Sequence, residues 1–145
     1  MKKNKLLVVI IVVCLVSCLP VYAEKCVPLY RQYLVELQST SVEETSRYLI
    51  YRRGKTKPGI YRSITKDLDL GLSWDTVFGK ACNGVALNLP LQIDNPEFGI
   101  FVITYTCAGT FTNKRTGSGT CTGNFNEQFG TNVVDEGSFT IKVVK

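Results

Sequence analysis

The sequence predicts an α+β domain: one or two N-terminal helices, then an antiparallel β-sheet folded as a sandwich or small barrel, held by two disulfides. Three observations predict this class. Apolar residues recur at helical spacing soon after residue 28. Several later segments alternate apolar and polar residues with the period of a strand. Four cysteines remain once a leader segment is set aside, and small exported domains commonly pair their cysteines.

The start of the chain has the composition of an export signal. Met1–Lys5 is a short basic stretch, and residues 6–16 form an almost unbroken apolar run. A membrane-spanning helix needs about 20 apolar residues. The run is shorter than that, so it predicts a signal peptide that is removed on export.

Two cleavage sites compete for this signal. Leu15–Cys18 resembles the lipobox of bacterial lipoproteins, which would make Cys18 the lipidated (palmitate-bearing) N-terminus of a single exported domain, 18–145, after a signal of 1–17. Val21–Ala23 resembles an ordinary signal-peptidase site, which would extend the signal to 1–23. We favour the lipobox. Because Leu19 follows the cysteine, it predicts an outer-membrane lipoprotein facing the periplasm or the cell surface. The alternative is a soluble periplasmic or secreted protein.

Net charge argues against nucleic acid as a partner. The full chain carries 17 basic and 12 acidic residues, a formal charge of +5. Lys2, Lys3 and Lys5 leave with the signal, which lowers the charge of the exported part to +2. A weakly basic whole domain lacks the strong positive field that nucleic-acid binding requires.

The four remaining cysteines are expected to form two disulfides rather than a zinc site, because no Cys-x-x-Cys spacing occurs. A hairpin centred on Lys114 would set Cys107 opposite Cys121. Directly opposed cross-strand β-carbons lie about 4.5–5.5 Å apart, close to disulfide geometry. The pair Cys26–Cys82 then follows by elimination and would tie the N-terminal helix to the sheet.

Two N-terminal helices are predicted from spacing and capping. Pro28 suits a first helical position, and an apolar stripe at i, i+3, i+4 and i+7 follows it. Ser41 and Glu44 form a capping box that favours a second helix running to Arg53. The aromatic and β-branched run Tyr48–Tyr51 favours the alternative, a strand paired with Ile60–Ile64. We favour the helix. The stripe consists of Tyr30, Tyr33, Leu34 and Leu37.

The rest of the chain is expected to be β. Leu68–Asp75 alternates apolar and acidic or small residues, which predicts a strand with a wet acidic face. Val85–Ile93 alternates again, with Pro90 on the polar face, so this strand should lie at an edge or carry a bulge. Dense or alternating strands are also expected over 100–107 and 139–143, and a hairpin over 110–122.

The residue types present exclude much of enzyme chemistry. The chain has no histidine, which removes the usual general base and the commonest metal ligand. Paired cysteines would leave no thiolate nucleophile. Carboxylates such as Asp67, Asp69 and Asp75 are the remaining candidates, and strand alternation explains them more simply. We therefore predict no catalytic residue, no metal and no cofactor. A small secreted hydrolase with two facing carboxylates is an alternative.

One segment stands out as a partner-binding candidate. Between Arg47 and Lys66 there are seven basic residues, no acid and three interleaved tyrosines. Arginine and tyrosine are enriched at binding hot spots, and a basic cluster attracts anionic surfaces. A solvated basic loop would have the same composition. The predicted binding residues are Arg47, Tyr48, Tyr51, Arg52, Arg53, Lys55, Lys57, Tyr61 and Arg62.

These observations predict a non-enzymatic, envelope-tethered lipoprotein. It would bind and block or neutralise a partner, as exclusion, immunity or inhibitor proteins do, or associate with an envelope complex. The expected partner is an envelope protein or an anionic envelope surface, and the lipid anchor would add a membrane contact. A secreted toxin-like or adhesive module is a further alternative.

Overall fold

The computed structural model describes residues 26–41, 45–95, 99–124 and 134–145. These residues form eight antiparallel strands and no helix. Each strand pairs with the next, and β1 pairs with β8, so the sheet closes into an up-and-down barrel. The predicted signal peptide and Cys18 lie outside the described residues. The strands are β1 (Gln32–Ser39), β2 (Thr45–Lys57), β3 (Ile60–Asp67), β4 (Ser73–Ala81), β5 (Gly84–Asn95), β6 (Gly99–Phe111), β7 (Thr116–Asn124) and β8 (Val134–Val143).

The predicted α+β class is wrong, because the segment with the helical stripe is strand β1. Tyr33, Val35 and Leu37 are buried inside the barrel, and Leu34 points to the outside. Tyr33 and Leu37 are four residues apart, which fits both a helical turn and two strand repeats. Buried Val35 decides between the two periods in favour of the strand.

The second predicted helix is strand β2, so the alternative interpretation of this segment is the correct one. Tyr48 and Ile50 are buried while the residues between and after them face outward. β2 pairs with β3 and sets Tyr51 opposite Ile64. Ser41 caps no helix; its hydroxyl and backbone N–H both donate to Asp135. Local capping chemistry is weak compared with burial of a whole strand face.

Alternation also misled the prediction over Leu68–Asp75. β3 ends at Asp67 and β4 begins at Ser73, so most of this stretch is the connection between them. Leu68, Leu70 and Leu72 are exposed, with Leu70 at 51%. Asp67, expected on a wet face, is 1% exposed and accepts the backbone N–H groups of Asp69 and Leu70. The acid stabilises the turn, which a period of two cannot reveal.

The antiparallel sheet and both disulfides are confirmed. Cys107 and Cys121 are directly opposed on β6 and β7 and are bonded to each other, as the predicted hairpin register requires. Cys26 is bonded to Cys82 in the β4–β5 turn. The second bridge holds an extended N-terminal segment rather than a helix.

Side chains fill the interior of the barrel. The rings of Tyr33 and Phe78 stack with their centroids 4.9 Å apart, and Tyr48, Tyr105 and Phe139 are also fully buried. Eight-stranded barrels have an interior of about this capacity. β7 contributes glycines to the inside, and the large rings of the neighbouring strands lie over them.

The N-terminal segment covers one end of the barrel. Val27 is buried there, its N–H donates to the side chain of Asn83 over 3.1 Å, and its carbonyl accepts from Lys80 Nζ over 2.7 Å. Lys80 Nζ also donates to the carbonyl of Cys82. Burial lowers the pKa of this lysine. The Cys26–Cys82 disulfide fixes the same contact covalently.

Candidate functional site

The most distinctive surface among the described residues is a group of unpaired cations on the β2–β3 hairpin. We call it the basic face and define it as Arg53, Lys55, Lys57, Arg62 and Lys66. All five residues are exposed. Four of them belong to the predicted binding residues, and all five lie on strands rather than on a helix.

Strand alternation explains why the charges on β3 point outward. Ser63, Thr65 and Asp67 are buried, so Arg62 and Lys66 lie on the opposite side of the strand. On β2 the register with β3 shifts between Arg52 and Gly54, which is a β-bulge. Bulges re-aim a side chain, and this one leaves Arg53 exposed.

No acidic residue of the described chain forms an ion pair with the basic face. Among the described residues the only ion pair is Arg47 with Asp69, at 2.5 Å. Hydrogen bonding to Arg47 lowers the pKa of Asp69. Arg47 is therefore committed to the β3–β4 connection. The cations of the basic face have no such carboxylate and present a net positive field to solvent.

Three of the predicted binding residues are built into the fold. Tyr48 is 0% exposed, and burial raises the pKa of its phenol. Tyr61 packs against the core, and the guanidinium of Arg52 lies 5.4 Å from the centre of its ring. This cation–π contact holds Arg52 half-buried on the inner side of β2. We therefore assign these side chains to supporting the surface rather than to forming it.

The basic face borders a shallow groove beside β4. Arg53 and Arg62 line this groove on one side, and Asp75, Thr76 and Val77 line it on the other. Val77 lies directly opposite Arg62 in the β3–β4 ladder, which brings an exposed apolar side chain next to the cation. Tyr51 also points outward, beside Ile64, and is half-buried.

No local sequence signal identifies the β4 residues of this groove. Asp75, Thr76 and Val77 follow Arg62 by 13 to 15 residues, and only strand pairing brings them alongside it. Lys66 belongs to the predicted basic segment and takes its place on the surface through the same pairing. An alternation of polar and apolar residues was the one available clue.

Two of the carboxylates considered for hydrolysis lie together at the end of β3, next to Lys66. Asp67, Asp69 and Asp94 line one groove there. Asp67 is tied to the backbone of the turn and Asp69 to Arg47. Asp75, the third predicted candidate, lies elsewhere, in the groove beside the basic face.

The buried carboxylate of Asp135, near the same end of the barrel, is held by hydrogen bonds from three side chains. Asp135 accepts hydrogen bonds from Ser39 Oγ at 2.6 Å, Ser41 Oγ at 2.6 Å and Tyr105 OH at 2.5 Å. Burial by itself raises the pKa of Asp135, but these hydrogen bonds outweigh burial and the pKa lies below its usual value. Burial, together with the bond to Asp135, raises the pKa of Tyr105 to about 12. These four residues, which we call the Asp135 cluster, join β1, β6 and β8.

Two further properties concern the described ranges alone. In them, no set of three or more His, Cys, Asp or Glu side chains is arranged to hold a metal ion. They also contain no helix with the length and apolarity needed to cross a membrane.

Comparison with protein-family models, with curated proteins and with solved structures finds no match for this chain. The fold and the site themselves define the class of protein: a small disulfide-bonded antiparallel barrel with exposed cations on the β2–β3 hairpin. Any statement about its function depends on the chemistry of that face.

Proposed function

We propose that this protein is a non-enzymatic, envelope-tethered binding protein that uses the basic face to hold and thereby block or neutralise an anionic protein partner. One observation carries the proposal: five exposed cations lie on the β2–β3 hairpin, and no carboxylate of the described chain pairs with any of them. Exposed clusters of this kind steer and orient oppositely charged partners.

The rigidity of the hairpin supports this role. β3 pairs with both β2 and β4, so Arg62 and Lys66 lie within a continuous sheet, whereas the part of β2 beyond Tyr51 is held by its ladder with β3. The Arg52–Tyr61 contact supports it from the inner side. Charges on a preorganised surface lose less freedom on binding than charges on a loop.

Export and tethering are parts of the same proposal. Two disulfides favour an oxidising compartment. The lipobox of the sequence would place a lipid on Cys18, and the chain would then reside in the outer membrane. Mass spectrometry of the mature N-terminus tests this: a diacylglyceryl cysteine is expected, and an unmodified start at Glu24 would contradict the anchor without contradicting export.

Site-specific photocrosslinking in envelope fractions tests the binding function. A benzoylphenylalanine at Lys55, on the basic face, should give a discrete adduct with one protein. The same residue at Thr120, on β7 across the barrel, serves as the matched control and should give none. Substituting Arg53, Lys55 and Arg62 with Ser in a chain that carries the photoprobe at Lys57 should abolish the adduct.

The outcomes separate binding from simple orientation at the membrane. A lipid surface attracts basic residues with about 1 kcal/mol each, so the basic face could hold the domain on the membrane without any protein partner. In that case the unlipidated domain would bind anionic vesicles and give no protein adduct. Equal adducts from Lys55 and Thr120 would also contradict the proposal.

A further inference from the structure

Neighbouring strands separate between β4 and β5, which is one of the places in the described chain where a strand is paired on one side only. β4 pairs with β3 from Ser73 to Gly79, but it pairs with β5 only from Phe78 to Ala81. The first half of β4 therefore has a sheet neighbour on one side only, within the part of the chain that the structure describes. Unpaired strand edges are templates for the addition of another strand.

The hydrogen-bond directions show which backbone groups face this opening. The backbone N–H of Lys80 donates to the carbonyl of Gly59, toward β3, so even-numbered residues of β4 point that way. Successive residues alternate, and Asp75 and Val77 therefore direct their N–H and C=O groups toward β5. Both residues lie beyond Phe78, where the β4–β5 ladder ends.

A proline explains why the ladder stops. The β4–β5 register, continued from Ala81 opposite Gly84, would place Pro90 opposite Asp75. On β5, the carbonyl of Asn83 accepts from Phe111 in β6, so the even-numbered residues of β5 face β4. Pro90 would have to donate an N–H there and has none. The sequence expectation of an edge or bulge at Pro90 points to this same place.

The surroundings of the edge indicate what it can accept. The opening is lined by residues of three strands, of which Trp74, Val77, Pro90 and Val102 are apolar. Val77 and Val102 are 47% and 44% exposed. On its β3 side the edge adjoins the groove of Arg53 and Arg62 described above.

We infer that the free edge of β4 takes up an extended acidic segment of the partner as an added strand; this inference rests on the proposed function. The backbone of Asp75 and Val77 would supply the ladder bonds, the apolar side chains would contact alternate residues, and Arg53 and Arg62 would pair with the carboxylates. Strand addition of this kind takes affinity from backbone bonds and specificity from alternate side chains. An acidic segment is favoured because Arg53 and Arg62 outnumber the one acid, Asp75, among the described residues that line the two grooves.

A capped nine-residue peptide of alternating Glu and Val is the probe, and Trp74 is the reporter. Trp74 is the only tryptophan of the chain and lines the opening, so its emission should change on binding. Amide NMR shifts should change over 73–77. The same peptide with Lys in place of Glu should not bind.

The decisive comparison uses backbone methylation of the peptide, which needs no change in the protein. Two versions are made, one methylated on the odd and one on the even amide nitrogens. In an added strand only one of these sets faces β4, so one version should bind and the other should not. Equal affinity of both versions would overturn the inference.

A matched pair of variants tests the same edge from the protein side. Val77→Pro removes the N–H that faces the opening without removing one that faces β3, and should weaken the peptide by about tenfold. Val77→Ala keeps that N–H and should leave the affinity within about threefold. Affinities unchanged in Val77→Pro would also overturn the inference.

The arginines provide the link to the proposed function. Arg53→Ser with Arg62→Ser should weaken the peptide, and Lys114→Ser with Arg115→Ser, which removes equal charge from the β6–β7 turn, should not. Absence of peptide binding overturns strand addition, whereas the photocrosslinking at Lys55 and Lys57 decides the proposed function independently.

Discussion

The two sides of the barrel wall differ in charge and in how completely they are built. On β2 and β3 the outer surface is the basic face, and the adjoining edge of β4 lacks a partner along half its length. On β6, β7 and β8 the outer surface has no net charge and is rich in hydroxyls, and β7 is paired along its length with β6 from Thr104 onward and with β8. We call this second surface the hydroxyl face; it consists of Thr104, Thr106, Thr110, Ser118, Thr120, Thr122, Ser138 and Thr140, all exposed.

The interiors behind these surfaces differ in the same sense. Behind the hydroxyl face, the inner positions of β7 are small, and rings pack directly on backbone: Phe139 covers Gly119, and Tyr105 covers Gly123. Behind the basic face the inner positions include half-buried Arg52 and Tyr61. One side is closely packed and has no net charge on its outer strand positions, and the other combines unpaired cations with an edge of β4 that has no β5 partner. This difference is what assigns binding to the β2–β4 side.

The largest effect on stability is expected from the disulfide beside the β4–β5 turn. Replacing Cys26 and Cys82 together with Ala opens a connection of 56 residues and should cost about 4 kcal/mol by the loop-entropy relation. The corresponding change at Cys107 and Cys121, 14 residues apart, should cost about 3 kcal/mol from the same term. Urea unfolding measures both. Hydrogen exchange should show the first loss on β4 rather than on β7, and the reverse pattern would break the comparison.

A matched pair of glycine substitutions tests the difference in packing. A β-carbon on Gly119 would lie 2.2 Å from the carbonyl oxygen of Ala108 and 2.5 Å from Cε1 of Phe139. Gly119→Ala should therefore destabilise the fold by about 3 kcal/mol, at the upper end for overpacking. A β-carbon on Gly54 meets nothing within 4 Å, so Gly54→Ala should stay within about 1 kcal/mol of the wild type. Similar losses in thermal unfolding would show that the two sides are packed alike.

The Asp135 cluster should make stability depend on acid. The pKa of Asp135 is lower in the folded chain than its ordinary value, so the unfolded chain takes up the proton first. The stabilisation is fully present above the unfolded value of about 4 and is lost as the pH falls through the lower folded value. Asp135→Asn should cost about 1–3 kcal/mol at neutral pH and flatten this acid limb. If Asp135→Asn left the loss of stability at acid pH unchanged, another group would be responsible for that loss.

Removing three charges from the basic face should change stability less than any of the preceding substitutions. Arg53, Lys55 and Arg62 together changed to Ser should each shift the unfolding free energy by under about 0.5 kcal/mol, because they are exposed and unpaired. Arg52 is left out since it lies on Tyr61. The variant should leave a sulfonate column at lower salt than a control with Lys114, Arg115 and Lys142 changed to Ser, three neighbouring cations at the β6–β7 turn and on β8. Equal elution of the two would mean that the basic face does not dominate binding to the column.

Alternation of apolar and polar residues correctly predicts the strands that have one apolar and one polar face. It fails where apolar and polar residues occur on both faces. Val85, Leu87 and Leu89 alternate with polar residues, and they line the interior of β5 as expected. The sequence of β1 predicts a helix because Tyr30, Tyr33 and Leu37 fit a helical stripe. Val35 fits only the period of a strand, and one residue is a weaker signal than the stripe. The candidate site was predicted in part: its charges lie in one stretch of sequence, but Tyr48 is in the core and the groove residues come from another strand.

The sequence by itself determined the disulfide pairing, because a hairpin register follows from residue spacing alone, and it determined the concentration of cations between Arg47 and Lys66. Only the tertiary structure decided which of these cations are free. Arg47 and Arg52 are taken up by Asp69 and Tyr61, contacts that depend on strand pairing. It also decided that β4 has a free edge, because backbone direction is set by the register of neighbouring strands and not by any residue type. Pro90 predicts an irregularity in β5, but the strand that lacks a partner there is β4.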